Sequence, residues 1–140
     1  MIPIGSRVEL LKDVHRGGTT CDLGQHINLR DHIGFVDKCV PESCEPGWGH
    51  FDTFYYLIFP SVSQRWRTAR AEVSELHVRL IEEAPEGIQK FFARVRYPRF
   101  YRIIELYAFD EDHVKYLLNL WYDDIVIHKI GLTREATYVF

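Results

Sequence analysis

Apolar and polar residues alternate in short runs through the first half of the chain, and each run ends at a cluster of turn-forming residues. In SRVELL, residues 6–11, Val8 and Leu10 alternate with Arg7 and Glu9, which predicts a strand. KDVHRGGTTCDLGQ, residues 12–25, breaks the pattern with Gly-Gly and Thr-Thr pairs and predicts a long loop. Apolar character returns in HINLRDHIGFVDKCV, residues 26–40, around Gly34, where a glycine within a strand predicts a bulge or a close backbone approach. PESCEPGWG, residues 41–49, is a second loop. HFDTFYYLIFP, residues 50–60, is dense in aromatic and β-branched residues and is expected to end at Pro60, which has no N–H for a ladder. RWRTARAEV, residues 65–73, sets Trp66, Thr68 and Ala71 against arginines, and SELHVRLIEE predicts a turn and a closing strand over 77–81.

The second half has a different rhythm. FFARVRYPRFYRIIELYAF, residues 91–109, predicts two strands broken near Pro98. Asp110 suits a helix N-cap, Glu111 and Asp112 suit the positive end of the helix dipole, and Val114, Leu117, Leu118 and Trp121 share one helical face. A helix over 110–122 follows, then a strand over 125–130 and a short one over 137–140.

GSRVELLKD, DHIGFVDKC, FYYLIFP and WRTARAEVSELHVRLIEE, in that order, resemble an SH3-like β-barrel of the bacterial kind across residues 4–83. That resemblance implies a G-x-V strand after the loop, a short turn before the last strand, and a scaffold used for binding, as in small bacterial or phage accessory proteins. The acidic and aromatic motif with which eukaryotic SH3 domains hold proline-rich peptides is absent. The strand–helix–strand after residue 84 resembles half of a ferredoxin-like unit, with its crossover helix on one sheet face. The expected fold is therefore mainly β (α+β), with a barrel over 1–84 and a β-α-β extension over 85–140. The extension either continues the barrel sheet or forms its own.

At 140 residues, with 46% hydrophobic and 14% aromatic residues, the chain is long and apolar enough to bury a core, which excludes a disordered tail. A net charge of -3 excludes wholesale adhesion to nucleic acid or an anionic membrane, so any electrostatic footprint is local. No stretch has signal-peptide or bilayer-spanning character, and Cys21, Cys39 and Cys44 cannot all pair within one chain; a cytoplasmic protein with reduced thiols and no membrane contact is expected.

Three features could carry function. QKFFARVRYPRFYR, residues 89–102, holds five basic and five aromatic side chains and no acid. Arg94 and Arg96 project to one strand face, and Arg99, Arg102, Tyr97 and Tyr101 extend the set, the pairing of cation and ring that single-stranded nucleic acid binders use. On the plainer alternative the arginines line a wet face while Phe91, Phe92 and Tyr101 pack inward. The loop tryptophan Trp48, with Trp66 nearby, is a candidate protein-interface anchor. The last feature is the set Cys21, His26, His32, Cys39, Cys44 and His50, of which Cys39, Cys44 and His50 are the candidate zinc ligands, although Cys39 and Cys44 stand at the edge of zinc-knuckle spacing with Pro41 between them. The expectation is a protein without cofactor that acts by binding a protein partner or itself, using the arginine strip and the Trp48 loop. RNA or single-stranded DNA binding through the strip is the alternative, and a zinc protein or cysteine enzyme the third.

Overall fold

The computed structural model describes residues 1–16, 26–40, 53–64 and 67–133. Its elements are β1 (Arg7–Leu10), β2 (His15–Arg16), β3 (Ile27–Asn28), β4 (Gly34–Val40), β5 (Phe54–Gln64), β6 (Arg67–Ser74), β7 (Val78–Glu82), β8 (Gln89–Arg96), β9 (Tyr101–Ala108), α1 (Glu111–Trp121) and β10 (Val126–Leu132). The protein is mainly β, as the hydrophobic pattern predicts. Eight strands form one curled sheet, a half-barrel, in the order β10-β8-β9-β6-β5-β4-β1-β7, while β2 and β3 pair separately.

β4, β5 and β6 form an antiparallel meander, and β1 lies between β4 and the returning β7. A single 3-10 turn at Glu75–His77, capped by the Ser74 hydroxyl, precedes β7, so the closing strand starts at Val78 and not at His77. Val8, Val36, Leu57, Phe59, Ala69, Ala71 and Val73 meet on the concave side as the barrel core. Thr68 does not join Ala71 on that face. It is buried instead beneath β9, where its hydroxyl accepts the Glu105 N–H at 2.8 Å.

Two further expectations are revised. β5 continues past Pro60 to Gln64, because the β5–β6 register slips between Phe59 and Ser63 and the missing proline N–H falls within that irregularity. The last described strand runs Val126–Leu132, two residues beyond the predicted end. The strand expected over 137–140, and most of the two long loops, lie outside the described residues.

Gly34 is a close approach. A Cβ there would stand 2.9 Å from the Phe59 ring, which covers the glycine face of β4. Gly34→Ala is expected to push Phe59 off its position and to lower stability by about 2 kcal/mol, read as a lower urea midpoint at unchanged slope.

In the second half, β8 and β9 form an antiparallel hairpin, and β10 pairs antiparallel with β8, so β9 and β10 run parallel with β8 between them. α1 makes the crossover and lies on one face of these strands. Val114, Leu118 and Tyr122 pack there on Phe91, Ala93, Val95, Ile104 and Leu106. The helix has the predicted extent, with Asp110 as N-cap accepting the His113 N–H at 2.8 Å and Tyr122 as C-cap. The two halves share the sheet through a parallel bridge of β6 with β9 at Arg67↔Ile103. They also meet through Phe35, Ile58 and Tyr107, which pack together with Trp121 at the helix end, and through the Tyr122 hydroxyl, which donates to the Pro60 carbonyl at 2.5 Å.

Candidate functional site

The β8–β9 register sets Arg94 opposite Ile103, Val95 opposite Arg102 and Arg96 opposite Tyr101. Val95 is fully buried under the helix, so alternation sends Arg94 and Arg96 to the other, exposed face, as the sequence predicts. The turn that follows is closed by the Tyr97 N–H donating to the Phe100 carbonyl at 2.9 Å. Arg99 is exposed on this turn, and Phe100 is 55% exposed at its end.

Tyr101 does not pack inward. Unlike the buried Phe91 and Phe92, it is 51% exposed, with the Arg94 guanidinium 5.6 Å from its ring centroid and the His128 ring centroid 5.3 Å away. Arg102 and Tyr97, by contrast, leave the strip. Arg102 lies opposite Val95 and is 1% exposed, its guanidinium 5.7 Å from the Tyr97 ring, and Tyr97 in turn meets Tyr122 edge-on at 4.9 Å. The exposed surface is thus Arg94, Arg96, Arg99, Phe100 and Tyr101, to which β10 adds His128 and also Lys129, which stands opposite Arg94 in the ladder.

The charge environment separates these arginines from four others, while Arg16 and Arg67 share with them the lack of a carboxylate in ion-pair reach among the described residues. Arg7, Arg30, Arg70 and Arg79 each have a carboxylate within ion-pair reach: Glu82, Asp13, Glu105 with Asp37, and Glu9 respectively. Among the described residues no ion pair reaches Arg94, Arg96 or Arg99. Glu111 and Lys115 flank His128 and Lys129 on the helix side, so the positive character is strongest toward the turn.

On the same face of the hairpin, toward its other end, lies a polar seam that the hydrophobic pattern does not reveal. The barrel strands supply Asp37 and Arg70, and the hairpin supplies Lys90, Glu105 and Tyr107. The Lys90 ammonium stands 2.8 Å from Asp37 and 3.0 Å from Glu105, Arg70 lies 2.7 Å from Glu105, and the Tyr107 hydroxyl donates to Asp37 at 2.8 Å. Burial opposes the charge on Lys90, but its hydrogen bonds to Asp37 and Glu105 outweigh that and raise its pKa. Burial, followed by the Asp37 charge, pushes the Tyr107 phenol far above its ordinary range. The arrangement favours a charged Lys90 and a neutral Tyr107, which suits a clamp between the halves.

Trp48, Trp66, Cys44 and His50 lie outside the described residues. Cys39 is half-buried with its sulfur 3.5 Å from that of Met1, and among the described residues no three His, Cys, Asp or Glu side chains gather as a metal site. No helix among the described residues is long and apolar enough to cross a membrane.

Fold and surface together define a mainly β half-barrel protein with a cationic and aromatic patch at the turn end of its β8–β9 hairpin. Comparison with known protein families, characterised proteins and solved structures gives no match for this chain.

Proposed function

We propose that the protein is a binding module for single-stranded RNA or DNA, and that Arg94, Arg96 and Arg99 contact phosphates while Tyr101 and Phe100 stack on bases. The observation that carries this reading is a juxtaposition: among the described residues, three arginines without a carboxylate partner stand around two rings left in water. Unpaired cations beside exposed rings match a polyanion with π-faces, because phosphate contacts release counterions and base stacking tolerates any sequence. His128 and Lys129 extend the same surface along β10.

Fluorescence anisotropy with labelled single-stranded RNA and DNA across a salt series is the test. Micromolar binding at low salt is expected, with a log-log salt slope that becomes shallower by about 1.4 in Arg94→Ala/Arg96→Ala, about 0.7 for each phosphate that is no longer neutralised. Tyr101→Ala is expected to weaken binding by about tenfold at an unchanged slope, since it removes stacking and no charge. Absence of binding at about 50 mM salt would refute the reading. The same surface would then point to a protein partner or a second copy of the chain, since interfaces also favour arginine and tyrosine. Light scattering on a sizing column separates those two.

A further inference from the structure

At the end of the β8–β9 hairpin remote from the arginine strip, α1 and the barrel enclose a groove of about 380 Å³. We infer that this groove is a second binding site, for a small aromatic carboxylate. Its volume lies in the range of small-molecule sites, toward the lower end, where one fused-ring ligand fits.

The walls favour flat apolar ligands. Phe35 and Tyr107 are stacked at 5.9 Å between centroids, Phe109 and His113 at 5.3 Å, and the Trp121 ring adds a further face. Ile33, Ile88, Leu117 and Leu120 add to the apolar lining. Phe109 and Leu120 remain 45% and 63% exposed, so apolar surface stays in water that a ligand would cover.

The polar inventory sets the head group. The Tyr107 hydroxyl is already committed to Asp37. His113 accepts the Phe109 N–H through Nδ1 at 3.1 Å, which leaves Nε2 to carry the ring proton as a donor. Arg7 also lines the groove, and its pairing with Glu82 is long, 4.0 Å, between half-exposed side chains. Such a pair holds its partner weakly, so the guanidinium is available to form the two parallel hydrogen bonds that a carboxylate accepts. Glu82 alongside favours a singly charged head over a phosphate.

The probe is 2-naphthoate, with uncharged 2-naphthylmethanol as its control. Binding is measured by calorimetry and located by the indole N–H resonance of Trp121. The expected result is a saturable shift of that resonance, naphthoate binding about tenfold tighter than the alcohol, and loss of that preference alone in Arg7→Gln. Ile33→Glu, at a solvent-facing position of the groove, is expected to weaken both ligands. The inference is overturned if neither ligand moves the Trp121 resonance, or if Arg7→Gln binds naphthoate as the wild type does. Because the variants alter exposed side chains and the wild type alone can fail the first criterion, a folding defect cannot rescue it.

Discussion

Lys90→Met is expected to lower the free energy of unfolding by about 3 kcal/mol at neutral pH, the largest effect of any single change in the seam. The substitution keeps an unbranched apolar stem and removes only the ammonium, leaving Asp37 and Glu105, with side chains 12% and 13% exposed, facing each other across its place. Arg70 is half-exposed and neutralises them only from the outer side. Two partly buried like charges left side by side repel each other, so the variant should recover part of the loss as acidification relieves that repulsion.

The wild type should behave oppositely at the alkaline end. The Lys90 pKa is raised in the folded state, so its contribution is fully present below the ordinary lysine value and disappears as the pH rises through the raised one. Tyr107 titrates in the same sense. Urea midpoints measured across pH for both proteins test this. A deficit that stays constant from about pH 4.5 to about 7.5 would show that the charge on Lys90 is not what joins the halves.

Leu118→Ala is expected to cost about 3 kcal/mol, because Leu118 is fully buried between α1 and the β8–β9 face and its removal leaves a cavity. The more informative quantity is where the loss is felt. If the sheet bridge at Arg67↔Ile103, the Tyr122–Pro60 hydrogen bond and the seam couple the two cores, probes in the barrel and beneath the helix should report one common, lowered midpoint. Amide exchange resolved by NMR supplies both probes. Separate midpoints would mean that the halves unfold independently.

Periodicity made the elements of both halves legible, and it located Arg94 and Arg96 on an exposed face because their parity relative to Val95 is local information. The capping of α1 by Asp110 was equally local. What alternation could not supply was phase across the turn: Pro98 interrupts the strand, and only the register Val95↔Arg102 shows that Arg102 returns to the buried side while Tyr101 stays out. His128 and Lys129 were invisible as neighbours of the strip, since their place depends on β10 pairing with the distant β8. The seam was hidden for the same reason. Asp37, Arg70, Lys90, Glu105 and Tyr107 come from four strands, each looking like an ordinary polar position on its own strand. A lysine and two acids on separate strands give no sign in the sequence that one half covers the other.

The alternation along β8 makes residue parity the address of each task. Phe91, Ala93 and Val95 serve the helix-covered core, while on the other face Lys90 serves the seam, Phe92 covers Gly131, and Arg94 and Arg96 form the exposed surface. Within Lys90–Arg96, then, insertion or deletion of one residue would exchange every assignment downstream, sending arginines under the helix and apolar side chains into water. Over evolution this surface can be retuned by substitution but not by changes in strand length, and length variation among descendants of this sequence should be confined to the turn at residues 97–100.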